Sequence, residues 1–329
     1  MARKPDVDDG TGRQRATDGM IGRRETLIGL GAVGLTGCAA RGVFMPGSSN
    51  AASTPRRVFM ATNRQDLGRA SRGDDLRWYE VHVSVPLHRT IGTVPVSGAS
   101  AFGTERMFSL GGVPDLGAVD REPLVLWIHG YNNTAAEAVY RHTQMAEDIG
   151  MNGPQVSFVW PSAASGRGYI HDRDSVLHAR RPLADMLLAL RRQWSGDILI
   201  VAHSLGVFLV MESLTRLAAQ GVVVSDIADG LLFLQPDIDP DVFREQVRDL
   251  GQLPAQAVVV LAEDDPALRI SGGLAQTGAR VGNTPGSLPD GFDAIDLTGV
   301  RDAATSHLVA VSSPRVLAHL RQVYRRGLS

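Results

Sequence analysis

The chain has 329 residues, 43% of them hydrophobic and 21% charged, which suits one large folded domain or two small ones. Its 33 Lys and Arg nearly balance its 35 Asp and Glu, so nothing in the charge calls for a nucleic-acid partner. Cys38 is the only cysteine, which excludes an intrachain disulfide and a cysteine-based metal site.

Residues 1–22 are polar, mixed in charge and aperiodic, and "RRETLIGLGAVGLTGCAA" follows. Arg23-Arg24 before a short Gly-rich apolar run has the form of an export signal. The run from Leu27 to Gly37 is too short to span a bilayer as a permanent helix. It ends in Leu35-Thr36-Gly37-Cys38, which resembles a bacterial lipobox, where the cysteine thiol is acylated and the chain is cut just before it. The expectation is an export signal at 1–37, a lipid anchor at Cys38, a flexible tether at 38–54 and a folded domain at 55–329, held at a membrane of the cell envelope. Met20 offers an alternative start, and Thr26 stands where a twin-arginine signal usually has Phe, which leaves the export route open. Gly29 to Gly34 spells G-x-G-x-x-G, but it follows Arg-Arg and precedes a Pro/Gly/Ser stretch, where the fingerprint needs a strand before it and a helix after it. It is not a dinucleotide site.

From Arg56 onward strand-like and helix-like runs alternate. "RRVFMATN" (56–63) and "RWYEVHVSV" (77–85) are β-branched and aromatic and read as an antiparallel opening pair. "PLVLWIHG" (123–130), "QVSFVWP" (155–161), "DILIVAH" (197–203), "GLLFLQP" (230–236) and "AQAVVVLAE" (255–263) are continuous apolar runs, the pattern of parallel strands buried on both faces. "FDAIDLT" (292–298) reads as a last strand. Between them, Thr134 and Glu137 have capping-box spacing for a helix to about Ile149. Pro182 sits near the start of "LADMLLALRRQ", "VFLVMESLTRLA" follows Ser204, and Ser313-Pro314 opens a terminal helix. The alternation predicts a doubly wound, mostly parallel α/β sheet with antiparallel N-terminal strands. Ligands of such sheets sit at the carboxyl ends of the strands, so the chemistry is expected there.

"ILIVAHSLGVFLV" places Ser204 where a strand meets a helix, with small residues, Ala202 and Gly206, two positions to either side. That is the form of a nucleophile elbow, although the usual first Gly is Ala202. A plain turn with an N-cap serine is the competing reading. In an elbow, the N–H of Leu205 faces a developing oxyanion. "WIHGYNNT" ends another strand and offers the N–H of Tyr131 as a second donor, with Gly130 allowing close approach. His129 reads as a packed strand-end residue. In hydrolases of this type the chain order is Ser, acid, His. That order leaves His307 and His319 as bases, and His307, just after the last strand, is preferred over His319 within the terminal helix. Asp265, ahead of Pro266, fits the acid; Asp264 beside it and Asp237 at the previous strand's end stay open as alternatives. No metal motif and no cofactor motif occurs, and His171 to Asp174 reads as the surface of a Gly-rich loop.

Together "FMATNR", "YEVHVSVP", "IHGYNN", "WPS", "AHSLG", "PDIDPDVF", "DPALRIS" and Ser306-His307, in this order over 56–327, resemble the bacterial α/β-hydrolases of domain of unknown function 900. Members of that family include proteins classed as lipoproteins and as esterases. The resemblance implies an α/β-hydrolase fold and the triad Ser204, Asp265 and His307, and it carries no substrate. The expected activity is hydrolysis of an ester or related acyl bond of a small-molecule substrate, without cofactor. A binding protein on the same fold, or an acyltransferase with the same triad, are the other readings. Between Pro236 and Ala255 there is room for one helix and no large lid, and the Gly-rich stretch from Gly272 to Gly291 is expected to border the pocket.

Overall fold

The continuous apolar runs become strands because each has two faces to bury. In β4 (Leu124–Ile128), Leu124, Leu126 and Ile128 pack into one core while Val125 and Trp127 pack into another on the opposite side. The same alternation divides Ile198, Ile200 and Ala202 from Leu199 and Val201 in β6 (Ile198–His203). Burying a Val, Leu or Ile side chain contributes about 1.5–3 kcal/mol, which favours apolar residues in these runs, and a polar exception such as the fully buried Ser157 is hydrogen-bonded, here to His142.

The structure is a computed structural model that describes Met1 and residues 41–46, 52–95, 97–98, 101–117, 122–303 and 305–327. The remaining strands are β1 (Ser53–Arg64), β2 (Arg72–Pro86), β3 (Gly103–Leu110), β5 (Gln155–Val159), β7 (Gly230–Leu234), β8 (Gln256–Leu261) and β9 (Asp293–Asp296). The helices are α1 (Ala135–Ile149), α2 (Tyr169–Gln193), α3 (Leu205–Ala218), α4 (Pro240–Leu250), α5 (Pro266–Leu274), α6 (Val309–Ser312) and α7 (Pro314–Gly327). One sheet has the order β3-β2-β1-β5-β4-β6-β7-β8-β9. β2 runs antiparallel to β1 and to β3, and every other pairing is parallel. The larger core lies under α2, α3 and α4, and α1 and α7 cover the other face. This is the expected doubly wound α/β-hydrolase architecture, and only α4 stands between β7 and β8.

The expected capping box closes α1: the Thr134 hydroxyl accepts from the Glu137 N–H and the Glu137 carboxylate accepts from the Thr134 N–H. Two local expectations are corrected. Pro182 lies inside α2, which starts at Tyr169. The proline costs about 3 kcal/mol in a helix interior, and Val176, Ala179, Leu183, Met186 and Leu187, all fully buried, offset it. His171 to Asp174 is the first turn of that helix, and Asp172 is fully buried rather than on a loop surface. The strand β3 was not anticipated.

The expected export signal, and Cys38 with it, lie outside the described residues. Within the stretch expected to be a free tether, Arg41 donates to both carboxylate oxygens of Glu137 and to the side chain and carbonyl of Asn132. Gly42 bonds Glu137 and Thr134, so residues 41–46 are fastened to the fold. No helix among the described residues is long and apolar enough to cross a membrane.

Candidate active site

The turn from β6 to α3 is forced into a conformation that few residues adopt. Ser204 has φ 54° and ψ −124°, outside the ordinary regions for a side chain with a Cβ, and its N–H is held by the Leu234 carbonyl at 2.9 Å. The surroundings permit nothing larger nearby. A Cβ on Gly206 would stand 2.5 Å from the His129 carbonyl oxygen and 2.6 Å from that of Ile128. A Cβ on Gly130 would stand 2.8 Å from His203 Nδ1 and 3.0 Å from Ser204 Cβ. Ala202, in the position of the usual Gly, is fully buried in β6.

The N-cap reading of Ser204 fails, because its hydroxyl makes no capping bond to α3. Ser204 Oγ lies instead 3.1 Å from His307 Nε2. His307 Nδ1 lies 2.7 Å from Asp265 Oδ2. A carboxylate accepts only, so Nδ1 carries the proton and Nε2 presents its lone pair to the hydroxyl. Asp265 is also the N-cap of α5: its Oδ1 accepts from the N–H groups of Ala267 and Leu268 at 2.9 and 3.3 Å. Burial pushes its carboxyl up, and the hydrogen bond from His307, the charge that ring carries when protonated and the two N–H groups more than offset it, holding the group below the usual carboxylate range.

β4 and β6 are adjacent and parallel with Ile128 paired to Ala202, so Tyr131 and Leu205 stand equally far beyond a matched pair of positions. Leu205 opens α3, where the first N–H groups have no partner within the helix. The loop carrying Tyr131 is fixed by a buried node that the sequence reading missed. Asp172 accepts from Ser162 Oγ at 2.6 Å, the Ala163 N–H at 2.6 Å and the Asn132 N–H at 3.1 Å. Arg64, 2% exposed, donates to the carbonyls of Trp160, Ser162 and Asn133. Burial pulls its guanidinium down to about 10, against the opposing charge of Asp172.

The other candidates fall elsewhere. Asp237 does not meet His307: its carboxylate takes Arg280 Nε at 2.8 Å, Ser271 Oγ at 2.7 Å and Tyr169 Oη at 3.0 Å. Asp264 pairs with Arg301 and accepts from the Gly299 N–H. His319 is exposed on α7. His129 stacks on Trp160 with ring centres 4.8 Å apart, as a packed residue. His203 is pushed down to about 3 by burial first and by His307 second, so it is neutral, and its Nε2 donates to the His307 carbonyl at 3.0 Å. The stretch from Gly272 folds back on itself and sends Arg280 into Asp237. A cleft of about 420 Å³, lined by Arg56, Glu122, Glu147 and Gln155 among others, lies at the opposite, amino ends of β1 and β5 and contains none of these groups. No cluster able to hold a metal occurs among the described residues.

No curated protein matches the sequence. The solved structures it resembles include an esterase of Pyrobaculum calidifontis, 13% identical over 92% of this chain and 89% of that one, with a TM-score of 0.39. Carboxyl esterase 2 of the mycorrhizal fungus Tuber melanosporum is 12% identical over 91% of this chain and 98% of that one, with a TM-score of 0.44. One of two esterases of Rhizomucor miehei is 14% identical over 85% and 82%, with a TM-score of 0.40. The family profile described as alpha/beta hydrolase of unknown function (DUF900) matches residues 114–325, which contain Tyr131, Ser204, Leu205, Asp265 and His307, and the chain belongs to that family.

Proposed function

We propose that the protein is a serine hydrolase that cleaves an ester or related acyl bond through Ser204, His307 and Asp265. The observation that carries this reading is the unbroken line from Ser204 Oγ to His307 Nε2 at 3.1 Å and from His307 Nδ1 to Asp265 Oδ2 at 2.7 Å, at a residue held with φ 54°. Ser204 Oγ attacks the acyl carbon as its proton passes to His307 Nε2. The carbonyl oxygen takes the negative charge and is met by the N–H groups of Tyr131 and Leu205. Collapse of that intermediate breaks the bond to the leaving group, which leaves with the proton from His307. Water then releases the acyl group by the same steps, and Asp265 holds the ring in the required tautomer throughout. We further propose that the exported chain acts at a membrane of the cell envelope, anchored through Cys38.

A fluorophosphonate probe tests the central claim. It is expected to label the wild type covalently and to leave Ser204→Ala unlabelled. A wild type that resists the probe, or equal labelling of the two, overturns the reading in favour of a binding protein on the hydrolase fold.

A further inference from the structure

Gln235 follows β7 and was not singled out in the sequence, yet its side chain meets both the acid of the proposed triad and the backbone just before His307. It is fully buried and has φ 47°, a left-handed conformation that a residue with a side chain rarely adopts. Its own N–H is fixed to the Val260 carbonyl at 2.7 Å. The neighbouring chain leaves no slack: a Cβ on Gly282 would stand 2.5 Å from the Gln235 carbonyl carbon and 2.7 Å from Pro236 N. In this conformation the side-chain Nε2 reaches Asp265 Oδ2 at 2.6 Å and the Ser306 carbonyl at 2.8 Å, and Oε1 faces the Ala310 N–H at 3.4 Å. The amide can be placed only one way, since the first two partners are acceptors and the third is a donor.

Asp265 then has four donors: two backbone N–H groups on Oδ1, and His307 and Gln235 sharing Oδ2. A carboxylate offers about four acceptor positions, so this one is filled. We propose that Gln235 is a positioning residue, which holds Oδ2 and the backbone before His307 in place and limits how much negative charge Oδ2 presents to the imidazole. This rests on the hydrolase reading above. The ionisable groups around the imidazole are Asp265 at the start of α5 and His203 at the end of β6, whose ring lies 4.8 Å from that of His307, with Arg141 of α1 acting on His203.

Two variants separate this role from simple packing. Gln235→Met keeps the length and removes both donors. An Oδ2 left with one donor holds the protonated imidazole more tightly, so the acidic limb of kcat/KM for p-nitrophenyl acetate is expected to move up by about one pH unit. kcat should fall on the order of tenfold with KM nearly unchanged. Gln235→Glu places a second carboxyl against Oδ2, which binds a proton until high pH and donates it as the amide did. This variant is expected to work near neutrality and to lose activity at alkaline pH, a falling limb absent from the wild type. Both profiles matching the wild type, or Gln235→Met losing rate with no movement of the acidic limb, overturns the proposal. NMR of the downfield proton on the His307–Asp265 bond, recorded in the Ser204→Ala background, separates the two claims. A displacement of that resonance by Gln235→Met, without turnover in any protein, sinks the hydrolase reading and leaves the role of Gln235 on the pair standing. An unmoved resonance beside an active wild type sinks the role of Gln235 alone.

Discussion

Gly206→Ala tests whether the close approach of α3 to β4 holds the candidate nucleophile in place. The added methyl would begin 2.5 Å from the His129 oxygen and 2.6 Å from the Ile128 oxygen, so the chains must part by about half an ångström before reaching even 3.0 Å. Both oxygens belong to backbone whose strand is hemmed in by β5 and β6. The displacement therefore falls on Leu205 and Ser204. Overpacking of this kind costs about 1–3 kcal/mol, which lowers the melting temperature by roughly 2–10 °C. Moving the candidate nucleophile and one proposed oxyanion donor by half an ångström is expected to slow fluorophosphonate labelling and p-nitrophenyl acetate turnover by about 10- to 100-fold. Gly273→Ala is the control: its methyl meets nothing within 4 Å and lies in a helix, so melting temperature and rate should hold or rise slightly. If Gly206→Ala melts and reacts like the wild type, the crowding argument for the elbow is wrong.

The two acids should fail differently. Asp265→Asn is expected to fold and to lose about a thousandfold or more in kcat, as the ring tautomer is lost, whereas Asp237→Ala strands the buried Arg280 and costs about 3–5 kcal/mol of stability; an Asp237→Ala that melts normally and is inactive reverses the assignment. Stability should fall with acid. His129, His142 and His203 are each pushed down to about 3, chiefly by burial, while an unfolded histidine titrates near 6.5. Between those values the unfolded chain binds protons that the folded chain refuses, so this contribution is whole above about pH 6.5 and shrinks below it, by about 2 kcal/mol per histidine at about pH 5. A melting temperature that stays flat from about pH 7.5 to about pH 5 contradicts the burial argument. Metabolic labelling with a fatty acid is expected to vanish in Cys38→Ala, and retained label removes the anchor.

The central strands could be read from the sequence because burial on two faces leaves an unbroken apolar run, as in "LVLWI". Ser204 and His307 could be singled out because chain order and strand ends restrict where a candidate nucleophile and base can stand, but the same argument left Asp265 beside Asp264 and Asp237, and it is the structure that brings Asp265 to His307. Edge strand β3, half exposed along "GTERMFSL", has neither an apolar run nor clean alternation. The first half of α2 was hidden for a related reason: "YIHDRDSVLHAR" is mostly polar, and nothing local tells that Asp172 turns inward to meet the loops after β4 and β5. Gln235 had no signal either, since its role depends on a left-handed backbone that propensity does not assign to glutamine. Asp265 has two roles in the fold at once, because one oxygen caps α5 while the other meets His307.

The parts of the site come from the ends of successive strands: Tyr131 after β4, Ser204 after β6, Gln235 after β7, Asp265 after β8 and His307 after β9. His307 reaches back 103 positions to Ser204 and 42 to Asp265. Pairings this distant in sequence form late and slowly, because a long loop must close before the contact repays it. A chain that has built its helices and half its sheet is then expected to hold Ser204 without His307 beside it. During refolding, reactivity toward the probe should trail the return of the far-ultraviolet helical signal, and a chain crossing a membrane unfolded would stay inert until its last strand was in place.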